Sequence, residues 1–480
     1  MSDKIDKRNW KIIYSDYSGM EKKAVELVSK EMGALILRDK GVYTIHVLAC
    51  EKEENAVIDK NVIIIGRYSE SDYIKKYIKE DEIPQDGYVV KVMDNPENPE
   101  LKIAIITARE KREVFYGAVD FVDDYFVTAI PFCGSLKLPD EIFDNKVPDY
   151  YNASAPKIKK RGIFTWGNPI NDYKNYIENM ARLKLNQLII WNDFAPINAK
   201  DIVDYAHEYG ISVIWGYAWG WSRKCDQIDL DALDVLSDAV LEKYEREYAD
   251  VGGDGIYFQS FTELHQDYLG DRLIAEAVTD FVNKTADKFL RKYPDLFIQF
   301  GLHAWSVEEH LEYIAKVDPR VEILWEDCGT FPYDYEPKVK SEEEFEKTLK
   351  FTDDILNLRE NASVGMLYKG QMILDWSKFE HQCGPFVLGC ASESLKNHDI
   401  EMLKPMWRHF QSEWYLNGKY AYEMTKHISK KDNVTIGMAG MFAGGIWFSE
   451  SLCAQIMWEC DREYEEIIAK VSKRRCIDKV

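Results

Sequence analysis

At 480 residues the chain is too long for one compact core and is expected to hold two or three domains. Its formal charge of −22 excludes nucleic acid as a partner, because a phosphate backbone demands a basic surface. The start, Met1 to Trp10, is polar and charged, and no apolar run is long enough to span a bilayer, so neither a secretory leader nor a membrane partner is expected. The nine cysteines are scattered without a CxxC pair, which fits reduced thiols in a cytoplasm better than disulfides or a zinc site.

In chain order, the first elements alternate: a strand at Trp10 to Tyr14, a helix at Gly19 to Met32, and strands at Tyr43 to Leu48 and Asn61 to Gly66. A helix at Ser69 to Lys79 follows. The polar turn Met93 to Pro99 joins Gly87 to Val92 and Leu101 to Thr107 into a hairpin, and a helix runs from Lys111 to Tyr125. Residues 1-155 thus read as a small α/β accessory domain, with Pro139 to Pro156 as the linker out of it.

From Arg161 onward strands alternate with helices such as Asp172 to Leu185 and Asp201 to Tyr209, the pattern of a parallel sheet. Candidate strands near Gly162, Leu188, Val213, Gly255, Phe297, Glu322, Val364 and Phe386 suffice to close a (β/α)8 TIM barrel over residues 156-400. Residues 401-480 read as a helical region, mainly Met402 to Tyr422 and Ser451 to Val471.

The strand ends share a character. Apolar runs stop at Trp166, at Trp191-Asn192-Asp193, at Trp215 to Trp221, at Glu263, at His303 and at Glu326-Asp327. Active sites of parallel barrels lie at these carboxyl ends, so the residues converge on one pocket. Tryptophan faces beside polar groups suit stacking on sugar rings, with Trp221 favoured in its cluster.

The order of the first domain, Val62 to Gly66, Ile83 to Val90, Ile103 to Ile106 and Val114 to Phe121, resembles the accessory domain of family 67 α-glucuronidases and family 20 and 84 β-N-acetylhexosaminidases. Arg161-Gly162-Ile163-Phe164 with Met180 to Asn186 is similar to their barrel opening, and Ala454 to Trp458 to a C-terminal helix of α-glucuronidase-like proteins. The resemblance implies an exo-acting glycosidase with two carboxylates and no cofactor. The paired acids of families 20 and 84 are absent after strand four, where Glu263 stands alone.

Glycoside hydrolysis needs a carboxylic acid to protonate the leaving oxygen and a second carboxylate to attack or to activate water. Glu263 is the expected acid, with Phe258 and Phe261 as the groups that would desolvate it. Its expected partner is Glu326 or Asp327; successive strand residues face opposite ways, so only one lines the pocket, and Glu326 is favoured. Trp166, Trp191, Asn192, Asp193, Trp221 and His303 are candidate substrate contacts, and Tyr368-Lys369 would neutralise an acidic sugar. Glu393 and Glu450 are reserve carboxylates. No metal is expected, for want of a His-x-His or clustered His/Asp set at the strand ends, and the expected partner is an oligosaccharide, with a homo-oligomer also allowed. A carbohydrate-binding protein on a barrel that has lost its catalytic pair is the alternative.

Overall fold

The computed structural model describes residues 10–36, 48–126, 147–165, 170–219, 229–259, 261–326, 339–360, 362–371, 382–440, 444–474 and 476–478. The chain divides into two compact units. One is Met1–Pro156 with Glu208–Gly210 and Ala469–Cys476; the other is Lys157–His207 with Ile211–Ile468 and Ile477–Val480. Among the described residues no helix is long and apolar enough to cross a membrane.

The first unit is built on a six-stranded sheet: β1 (Trp10–Tyr14), β2 (Ala49–Lys52), β3 (Asn61–Arg67), β4 (Tyr88–Asn95), β5 (Asn98–Ala108) and β6 (Tyr150–Ser154), in the order β2-β1-β3-β5-β4-β6. β1, β2, β3 and β5 run parallel, and β4 lies antiparallel between β5 and β6. The runs Val62 to Ile65 and Ile103 to Ile106 are continuously apolar and wholly buried, as strands covered on both faces must be. The expected hairpin is present as β4–β5. Part of the expected linker is instead the edge strand β6. Helix Lys111–Asp120 needs Gly117, where an added Cβ would come within 3.0 Å of Ile106 on β5. Arg474 donates to both carboxylate oxygens of Asp124, at 2.7 and 3.0 Å, and so ties the segment Ala469–Cys476 into this unit.

The second unit is an α/β domain whose eight parallel strands form a closed barrel: β7 (Lys160–Phe164), β8 (Gln187–Trp191), β9 (Ser212–Gly216), β10 (Gly255–Gln259), β11 (Phe297–Leu302), β12 (Val321–Trp325), β13 (Val364–Tyr368) and β14 (Val434–Ala439). Helices surround it. Tyr173–Arg182 is started by Asp172, whose carboxylate accepts from Lys174 N and Asn175 N, both at 3.1 Å. The first seven strands fall where the sequence places them. The eighth does not: the segment near Phe386 is irregular, with Phe386 O accepting from Ile197 N, and β14 closes the barrel beyond the expected limit at residue 400. Two helices, Glu393–Asn417 and Lys419–Ile428, intervene where one was expected, so the region after 400 is not purely a helical appendage.

Strand alternation decides what enters the lumen. Phe164, Ile189, Trp191, Ile214, Tyr257, Leu324, Leu367 and Ala439 pack together there. β11 gives that cluster only the partly buried Phe297, since Gly301 stands level with Leu324. Below it lies a polar layer, in which Glu322 accepts from Gln299 Nε2 at 2.8 Å and Thr435 Oγ1 at 2.9 Å, and pairs with Lys160 at 3.4 Å.

Candidate active site

The register of the barrel brings the site together. Leu302 on β11 is level with Trp325 on β12, so one step further His303 is level with Glu326. Leu324 faces inward, hence Glu326 does too, while Trp325 turns out to meet Phe351. Glu263 arrives from the neighbouring strand through a short 3-10 turn, Phe261–Glu263. His303 Nε2 lies 2.9 Å from Glu263 Oε1 and 3.1 Å from Glu326 Oε2, and donor atoms of all three lie within 4.8 Å of one another.

The three side chains differ in access. Glu326 is fully buried at 0% exposure, His303 is at 7%, and Glu263 stands at the rim with 36% of its side chain exposed. Both loops are pinned: the His303 backbone N–H donates to Thr262 Oγ1 at 3.1 Å, and Ser306 Oγ donates to Thr262 O at 2.8 Å. The buried Tyr257 hydroxyl joins the group from below. A Cβ built on Gly301 would sit 2.2 Å from both Tyr257 OH and Glu326 Oε1, so the glycine leaves the small space that these two oxygens share.

Several expected residues lie elsewhere. Phe258 stacks on Trp219 at 3.5 Å and on Phe300 at 5.3 Å, and Phe261 lies 6.3 Å from Phe281. Both belong to the core between barrel and helices and do not desolvate Glu263. Tyr368 corrects a further expectation: as the outward neighbour of Leu367 it hydrogen-bonds Thr425 Oγ1 at 2.9 Å on an outer helix. Lys369, next in the alternation, is buried and on the inward parity. Trp191 lines the lumen. Asn192 Oδ1 and Asp193 Oδ2 accept from Gln382 Nε2 at 3.3 Å and Gln382 N at 2.9 Å, and so hold a loop. Trp166, Trp221 and Asp327 lie outside the described residues.

The reserve acids are not reserves. Glu393 is exposed and paired with Lys396. Glu450 is fully buried in helix Phe448–Glu459, where it accepts from Trp447 N at 3.3 Å; burial pushes its carboxyl well above the usual carboxylate range. Sequence reasoning missed Tyr257, Thr262, Gly301 and Ser306. Alternation along Gly255–Gln259 could have found Tyr257, since it faces the same way as the strand's tip. Glu263, His303 and Glu326, expected to share one pocket, also lie close enough together to share a cation.

No protein-family model and no curated protein matches the chain. Solved structures do. CpGH84B aligns at a TM-score of 0.52 and 13% identity, over 97% of this chain and 70% of its own. CpGH84D aligns at 0.42 and 14%, over 75% and 57%. A GH138 enzyme targeting pectin rhamnogalacturonan II aligns at 0.47 and 10%, over 95% and 52%. The chain therefore spans little more than half the length of these last two. The likeness gives no support to the family 67 resemblance, and what it establishes is a glycoside hydrolase-like fold, with an α/β barrel of the TIM type.

Proposed function

We propose that the chain is an exo-acting glycoside hydrolase in which Glu263 is the acid/base and Glu326 the nucleophile. The observation that carries this is the convergence of two carboxylates, one at the rim and one at the bottom, within 4.8 Å. One oxygen of each lies no more than 4.8 Å from the other, which favours the roughly 5–5.5 Å spacing of retaining enzymes over the wider one of inverting enzymes. Glu263, at the exposed edge, protonates the glycosidic oxygen as the bond to the anomeric carbon breaks, and the leaving group departs toward solvent. Glu326, buried, attacks the anomeric carbon to form a glycosyl ester. Water deprotonated by Glu263 then releases the sugar.

His303 holds the two carboxylates at this spacing as a positioning residue. The described cysteines are all free, in keeping with work in a reducing compartment on imported fragments.

A screen of chromogenic glycosides, covering glucuronides, galacturonides and N-acetylhexosaminides, tests the reading beside Glu263→Gln and Glu326→Gln. Turnover of one class, abolished in both variants, is the expected result. No turnover of any glycoside, or turnover that survives both substitutions, would sink it.

A further inference from the structure

The geometry points to a second capacity of the same three side chains: Glu263, His303 and Glu326 form a site for a divalent transition-metal cation, Zn2+ or Mn2+, whose binding excludes the sugar. Two carboxylate oxygens and an imidazole nitrogen are donors that these cations accept. A cation about 2.0–2.2 Å from each donor needs the donors roughly 3–4 Å apart. The contacts of 2.9 and 3.1 Å around His303 Nε2, with the two carboxylate oxygens no more than 4.8 Å apart, lie close to that arrangement.

Two further features distinguish this group from a chance gathering of acids. The Tyr257 side chain is wholly buried, its hydroxyl has no hydrogen-bond partner among the described residues, and it shares the space above Gly301 with Glu326 Oε1. It is placed to bind the outer oxygen of Glu326 and so turn Oε2 toward a cation, as partners behind metal ligands do. The Thr262 bonds to His303 N and Ser306 Oγ fix the two loops that carry Glu263 and His303, so little ordering cost remains.

The first unit offers an instructive contrast. Asp16, Glu21 and Glu70 also lie within reach of one cation. There, however, Lys111 pairs with Asp16 at 2.6 Å, and Arg67 with Glu70 at 2.6 Å and Glu21 at 3.3 Å, so fixed positive charges already neutralise the acids. At the barrel mouth the base shared by the acids is an imidazole, which is itself a metal ligand.

Exclusion of the sugar rests on the proposed hydrolysis, since a cation on Glu263 and Glu326 removes both the proton donor and the nucleophile; cation binding itself does not. Isothermal titration of the chelator-treated full chain with ZnCl2 and, separately, MnCl2 tests binding directly. Saturable binding is expected, weakened about 10-fold in Tyr257→Phe and by more in Glu263→Gln and His303→Ala, with circular dichroism confirming the fold of each. Glu263 is partly exposed, so its isosteric amide keeps the test valid if the histidine variant does not fold. Absence of saturable heat, or equal affinity in wild type and Glu263→Gln, as a surface thiol site would give, overturns the inference. Binding without turnover of any glycoside upholds the cation site and removes only the hydrolase reading; turnover indifferent to both cations, without saturable heat, does the reverse.

Discussion

Glu322 and Glu326 lie four residues apart on β12 and its continuation, face the same lumen and are both hidden from solvent, yet their surroundings differ in kind. Glu322 is met by donors: Gln299 Nε2, Thr435 Oγ1, the Ser363 hydroxyl and the Lys160 ammonium. Glu326 is met by an imidazole that it shares with a second carboxylate. Burial therefore does not separate a structural carboxylate from a reactive one; the chemistry of the partners does. A carboxylate ringed by donors is a fixed charge that closes the barrel floor. A carboxylate competing for one imidazole can change partners when a substrate enters.

The largest expected effects come from replacing the two acids in turn. Glu326→Gln should lower kcat on a cleaved glycoside by roughly 10²–10⁴-fold while leaving the urea unfolding midpoint almost unmoved. Glu322→Ala should do the opposite, costing about 3 kcal/mol of unfolding free energy, because Lys160 and Gln299 are left facing an empty socket. Activity lost in the Glu322 variant at unchanged stability would show that the floor takes part in the chemistry. A Glu326 variant that unfolds as readily as the Glu322 one would reduce the mouth cluster to a structural device.

Much of this contrast is legible in the sequence, and the illegible part has physical causes. Seven barrel strands are short runs of β-branched and aromatic residues between helix signals, and their alternation alone assigns Glu326 inward. The eighth escapes because Val434–Ala439 is preceded by two helices, which breaks the one-strand, one-helix rhythm on which counting relies. Glu263 stands out because it ends an apolar run. Its surroundings do not, because Phe258 and Phe261, close in sequence, pack toward the outer helices. The meeting of His303 with both acids depends on inter-strand register, which no single strand encodes.

Gly301 is the point on β11 where the lumen gives way to Glu326 and Tyr257. Gly301→Ala places a methyl 2.2 Å from both oxygens and must push one aside. Overpacking of this sort costs about 1–3 kcal/mol. The expected outcome is a fall in kcat of roughly 10-fold or more, with KM changed less, since the methyl displaces the proposed nucleophile or the tyrosine beside it and not a sugar contact. An unchanged kcat would mean that Glu326 Oε1 has freedom its burial conceals.

Glu450 extends the comparison to a third buried carboxylate, one that takes the remaining option of staying neutral. Burial lifts its folded-state pKa well above the usual carboxylate value, against a smaller lowering by the Trp447 backbone N–H. Its unfolded counterpart titrates near the ordinary value for glutamate, about 4.3. Between those two values the native state holds a proton that the unfolded state has released, so stability falls as pH rises across that window and levels off above the raised pKa. Below the ordinary carboxylate range the contribution is fully present. Glu450→Gln keeps the shape and removes the titration, so the difference in unfolding free energy between variant and wild type should grow in the variant's favour as pH is raised from about 4, a change of slope and not of fold. Parallel urea titrations across that range read it. Curves that stay parallel would show that folding does not raise the Glu450 pKa.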